Sequence, residues 1–111
     1  MVFSRLGQEI PLTSIELLVC EGPIPVAPWA TPGTEPAGKA AVECFQSRNN
    51  LQVMLLRQHR LVAIGQTLEE AYCKAVNAEI GMEVYYKARL LGDVQTFSPT
   101  QLQEIREIYG I

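Results

Sequence analysis

The sequence predicts an α+β fold, a sheet with helices packed against it. Three observations predict it. The first third is rich in proline and stays extended. Two short apolar runs are separated by Arg57-Gln58-His59-Arg60. Two later segments carry apolar residues at helical spacing behind recognisable caps.

The extended part contains Pro11, Pro23, Pro25, Pro28, Pro32 and Pro36. Proline fixes φ and removes a backbone donor, so loops and edge-like strands are expected, with Ile24–Trp29 as a short edge strand. Thr34 then caps a helix, with Glu35 in its first turn and Ala37, Ala40, Ala41, Val42 and Phe45 as its apolar face. Asn49-Asn50 ends it. Val53–Leu56 and Leu61–Ile64 read as a hairpin of buried strands, and continuous apolar runs of this kind need cover on both faces.

The longest helix starts at Thr67, with Glu70 completing a capping box. Ala71, Ala75, Ala78, Met82 and Tyr85 form its buried stripe, Gly92 its stop, and Gly81 a point of close packing. A last short helix opens at Ser98, with Pro99 in its first turn, Gln101 completing a second capping box, and an apolar edge of Leu102, Ile105 and Ile108.

A chain of 111 residues has room for one domain, 1–111. With 48% hydrophobic and 19% charged residues the composition is that of a globule rather than a disordered chain. A net charge of −3 without clustered Lys and Arg argues against nucleic acid and against an anionic membrane surface. The apolar runs are too short to span a bilayer, and the first residues lack a secretory pattern. Cys20, Cys44 and Cys73 are widely spaced, which reads as buried, reduced thiols in a cytoplasmic protein.

Chemistry-bearing residues are few. His59 is the single histidine, at the tip of the expected hairpin, where it is either a metal ligand or a structural residue. A zinc site needs three or four ligands, and no spacing here brings them together. There is no nucleophile elbow, phosphate loop or paired-carboxylate signature. Trp29, Tyr85 and Tyr86 read as core aromatics, whereas Tyr109 lies so close to the end that it either reaches elsewhere or frays. Read from residues alone, the chain is a cytosolic α+β domain with one candidate ligand.

The order of segments resembles a known family. Ile24-Pro25-Val26-Ala27-Pro28-Trp29-Ala30-Thr31-Pro32-Gly33-Thr34 resembles the Ile-Pro-Val-x-Pro-Tyr-x-x-x-Gly-Thr segment of class II aldolase/adducin proteins. Leu55-Leu56-Arg57-Gln58-His59-Arg60-Leu61-Val62-Ala63-Ile64-Gly65 is similar to the family's Leu-Leu-x-Asn-His-Gly-x-x-x-x-Gly. Thr67–Ala71 and Ser98–Ile105 are similar to the family's next helix opening and to its ending. The resemblance implies a partial class II aldolase-like sheet, mostly antiparallel, with helices packed on it. It also implies a lineage of zinc-dependent (or other divalent-metal) aldehyde-lyases and epimerases that act on sugar phosphates by retro-aldol cleavage through a metal-stabilised enediolate. The metal would serve as a Lewis acid.

In that family a His-x-His pair and a third histidine hold the metal, and His59 matches the third. A tail tyrosine in a Tyr-Gly ending approaches a neighbouring copy's site, and Tyr109-Gly110 matches it. The resemblance further implies a homotetramer.

By the same resemblance the metal pair, the glutamate base and the phosphate cluster belong to a first half that precedes Leu6-Gly7-Gln8-Glu9-Ile10-Pro11. The chain is therefore expected to be a C-terminal half, inactive alone, that leaves apolar sheet and helix surface uncovered. Two positions depart from the family pattern. Arg60 stands at the turn glycine, a cost of about 1 kcal/mol if φ is positive there. Ser14 or Ile15 stands near the family's proton-donating tyrosine. These departures keep open a non-catalytic adducin-like interaction module or degenerate remnant, and a split enzyme completed by a separate first-half polypeptide.

Overall fold

Val53, Met54 and Leu55 are fully buried, and the rest of the molecule is arranged around them. The computed structural model describes residues 3, 7–20, 23–48, 51–58 and 60–110. Asn49, Asn50 and His59 lie outside the described residues. In chain order the elements are α1 (Ile15–Val19), β1 (Val26–Ala27), α2 (Glu35–Gln46), β2 (Val53–Leu56), β3 (Leu61–Ala63), α3 (Leu68–Leu91) and α4 (Pro99–Tyr109).

The α+β expectation holds, with a three-stranded sheet in the order β1-β2-β3. β2 and β3 form the expected hairpin, antiparallel with Val53 opposite Ala63 and Leu55 opposite Leu61. β1 runs parallel to β2, with Val26 opposite Leu55, and Ile10 and Ile24 make an isolated antiparallel bridge. The sheet is therefore mixed. β1 is at the edge, as its flanking prolines require, and the Pro25 carbonyl accepts from Leu55 N at 2.9 Å. Burial on both faces holds for β2 but not for β3, whose three residues are half-buried.

The first third is not extended throughout. Ser14 caps α1, its hydroxyl accepting from Leu17 N at 3.3 Å, and Leu17 and Leu18 are buried. Five residues do not make a stable helix in water, so packing against α3 holds this turn. Close approach at Gly81 is what permits it. A Cβ there would lie 2.5 Å from Leu17 Cγ.

α3 buries Ala78, Gly81, Met82 and Tyr85 on the predicted stripe. Thr67 Oγ1 accepts from Glu70 N at 3.1 Å, but the Glu70 carboxylate accepts from Gln66 N rather than from Thr67 N, so the reciprocal half of the expected box is displaced by one residue. At Ser98 the box is complete, with Gln101 N donating to Ser98 Oγ at 3.2 Å and Ser98 N donating to Gln101 Oε1 at 2.9 Å. α4 rests on the core through half-buried Leu102 and Ile105, while Ile108 is exposed. α2 buries no residue completely. Ala37, Ala40, Ala41 and Phe45 are half-buried on the expected face and Val42 points to solvent.

Trp29 departs from its reading as a core aromatic, at 53% exposed, and Tyr86 is also exposed. Tyr85 is the core aromatic. Its ring stands 5.3 Å from that of Phe3, and the Arg89 guanidinium lies 5.9 Å from its centroid. No described helix is long and apolar enough to cross a membrane.

Candidate functional site

The β2–β3 turn is the one segment where the sequence concentrates candidate chemistry. Its base is anchored by the buried β2 residues and by Leu56 N donating to the Arg60 carbonyl at 2.7 Å. Gln58 takes the left-handed conformation, with φ of 56°. A polar residue there bears a modest steric cost, and the described left-handed position of this turn is thus the residue before His59. Arg57, Gln58 and Arg60 are exposed. Arg57 and Arg60 therefore bring two guanidinium groups close to position 59 in the sequence, at the exposed end of a buried strand.

Arg57 turns back over the N-terminal segment. Gly7 has φ of +66°, and a Cβ there would meet Arg57 Nε at 3.3 Å, so a side chain at position 7 would be both strained and crowded. This brings the Gly7 loop beside the base of the hairpin.

Tyr109 closes α4 with its ring 63% exposed, and Gly110 follows in the left-handed region at φ 69°. The described contacts do not join Tyr109 to the hairpin. Among the described residues no three of His, Cys, Asp and Glu are grouped to hold a metal ion. The donors described thus do not by themselves fit zinc or another divalent ion.

Ser14, one of the two residues that stand near the place where the resemblance expects a phenol, is occupied structurally as the α1 cap. Sequence reasoning missed this use, although a Ser ahead of Glu16, Leu17 and Leu18 is the ordinary signal for a cap.

An open groove of about 490 Å³ runs between β1 and α2, lined in part by Pro25, Pro28, Lys39, Glu43 and Cys44. Burial pushes the Cys44 thiol pKa up, against the opposing pull of the Arg48 guanidinium, so it is a poor nucleophile at neutral pH. Arg48 itself pairs with Glu9. Cys20 is buried and its thiol donates to the Lys74 carbonyl at 3.5 Å, whereas Cys73 is exposed, so the expectation of three buried thiols holds only in part.

Residues 1–86 match the family model described as Class II Aldolase and Adducin N-terminal domain. The chain belongs to the class II aldolase and adducin family. Among its relatives is a rhamnulose-1-phosphate aldolase of Pectobacterium carotovorum, 30% identical over 96 residues, which are 86% of this chain and 34% of the relative. A 5-deoxy-D-ribulose 1-phosphate aldolase of Bacillus thuringiensis is 28% identical over 103 residues, 92% of this chain and 46% of that one. The solved structure of an L-fuculose 1-phosphate aldolase superposes with a TM-score of 0.86 at 22% identity, covering 99% of this chain and 50% of that one.

The class II aldolase fold is thereby established for the chain, which spans about a third to a half of the length of these relatives.

Proposed function

We propose that this class II aldolase-family chain contributes part of a divalent-metal site for cleaving or epimerising sugar phosphates. In this reading His59 is one ligand and Tyr109 is a phenol that carries a proton at a neighbouring copy's site. The remaining ligands come from polypeptide outside these 111 residues, and the chain alone is inactive. The observation that carries the reading is the β2–β3 turn, whose described residues Arg57, Gln58 and Arg60 are exposed at the end of the most deeply buried strand, in a family whose named relatives are sugar-phosphate aldolases. A ligand must be held to within fractions of an ångström, and a strand whose Val53, Met54 and Leu55 are fully buried is a firm base for one. The reading includes a homotetramer in the cytoplasm, in keeping with three cysteines that form no disulfide.

A second reading, a non-catalytic adducin-like interaction module, is favoured by one observation. The chain has a single histidine, and its described residues form no ligand cluster. Elemental analysis after exhaustive dialysis tests the first reading. The chain alone is expected to retain far less than one zinc per molecule and to leave rhamnulose and fuculose phosphates uncleaved. Stoichiometric zinc held by the chain alone and lost in His59→Ala would show a self-contained site instead. If the chain, joined to polypeptide that completes the family fold, binds metal no less tightly after His59→Ala, the ligand role is refuted and the module reading stands.

A further inference from the structure

α1 is held to α3 at two ends, and the two holds differ in kind. Ser14 and Leu17 lie over Gly81, with the Ser14 hydroxyl 3.2 Å and the Leu17 Cγ 2.5 Å from where a Cβ would be. At the other end the Lys74 ammonium donates to the Val19 carbonyl at 2.6 Å, in a partly buried place. Residues 74 and 81 are about two turns apart on α3, so α1 runs antiparallel to it. Its start is seated on apolar contact and its finish on a charged hydrogen bond.

Lys74 completes the end of α1. The last four carbonyls of a helix have no partner within it. Here Glu16 O faces the Cys20 thiol at 3.6 Å, Leu17 and Leu18 O accept from the Cys20 amide, and Val19 O accepts from the ammonium. Cys20 is thereby closed in, at 1% exposed. Among the described residues no carboxylate pairs with Lys74, so its charge is directed at the C-terminal end of α1. A cation at that negative end, hydrogen-bonded and partly out of water, is a stronger tie than a neutral pair.

We infer that Lys74 is a latch. Its ammonium shuts the C-terminal end of α1 over the Cys20 thiol, and without that charge this end opens locally while the Gly81 end and the sheet stay in place. The apolar contacts are what separate the two ends. Leu17 is seated at Gly81 and Leu18 is buried beside it in sequence, so both hold when the last residues leave. Val19 is only half-buried, and its departure uncovers little apolar area. The inference goes beyond the aldolase reading and does not depend on it.

Alkylation of Cys20 by iodoacetamide tests it in the 111-residue chain, with Cys44→Ser and Cys73→Ser so that one thiol is read. Urea unfolding supplies the global stability. With Lys74 in place, Cys20 is expected to react only as the chain unfolds. Lys74→Met keeps the length of the side chain but removes the donor. It raises the native-state rate about tenfold or more, beyond what the change in global stability accounts for. Lys74→Arg keeps a charged donor and stays near the parent. Amide exchange reads the same step without the thiol. In Lys74→Met the Cys20 amide, bonded to Leu17 O at 3.1 Å, exchanges faster, and the Leu18 amide, bonded to Ser14 O at 3.1 Å, does not.

Cys20 as slow to react in Lys74→Met as in the parent overturns the inference. So does a rate that rises only in step with global unfolding, or loss of the fold in Lys74→Met, since a latch leaves the sheet in place.

Discussion

Leu17 occupies the space that a side chain at position 81 would need, its Cγ and Cδ2 lying 2.5 and 2.7 Å from where a Gly81 Cβ would be. Alanine would improve helix propensity by about 1 kcal/mol, whereas forcing a methyl into a filled core costs about 1–3 kcal/mol. Gly81→Ala is therefore expected to lower stability by about 1 kcal/mol in urea unfolding, and Gly81→Val by more. Adding Leu17→Ala should make the Gly81→Ala change favourable, because the two sites share one volume. A stabilised Gly81→Ala single variant would disprove the close approach.

The two long C-terminal helices should respond differently to loss of their caps. Ser98→Ala removes the acceptor for Gln101 N and costs about 1 kcal/mol of α4 stability. Since α4 buries no residue completely, the loss should appear as faster amide exchange over residues 99–109 with little change in global unfolding. Thr67→Ala removes a similar bond from α3, whose middle is in the core, so it should shift the global midpoint.

The thiols should separate by reactivity. At neutral pH iodoacetamide is expected to alkylate exposed Cys73 first and Cys44 more slowly, with Cys20 protected until the chain unfolds. Because burial raises the Cys44 pKa, its rate should keep rising to higher pH than that of a free thiol. Peptide mapping by mass spectrometry checks the order, and Cys44 modified ahead of Cys73 would contradict it.

Glu83 should titrate below the ordinary carboxylate range, held down by its hydrogen bond to Lys87 and by the charge of that ammonium. A carboxyl whose folded pKa is depressed adds stability above its unfolded pKa and loses it as pH falls through the folded value. Lys87→Ala should return the Glu83 carboxyl toward the ordinary range in an NMR titration, with no effect near neutrality. The pair is fully exposed, so its effect on stability should be small.

Much of the architecture was legible because local signals and tertiary packing agree. The two apolar runs pair where expected, and the Ser98 box and the α3 stripe lie where spacing places them. α1 was not legible. Five residues between prolines carry little periodicity, and their helix exists because Gly81 lets Leu17 seat against α3, a contact far away in sequence. Trp29 misled for a related reason. Its size argues for burial, yet it follows Pro28 beyond the two-residue edge strand, where the chain has left the sheet.

For the candidate site, the β2–β3 turn was legible from the two apolar runs on either side of it. The left-handed backbone at Gln58 was not, since the family pattern points to Arg60 as the strained position.

The attachment of α4 sets how far Tyr109 can travel. Upstream of that helix the Phe97 amide donates to the Leu12 carbonyl at 3.2 Å, and beyond this point only the half-buried Leu102 and Ile105 grip the body. Eleven helical residues are about 16 Å of helix, with the complete Ser98 cap at one end and the exposed Tyr109 at the other. The place of that phenol relative to the sheet is thus decided by two side chains of the helix itself, Leu102 and Ile105, and not by any contact of its own with the hairpin.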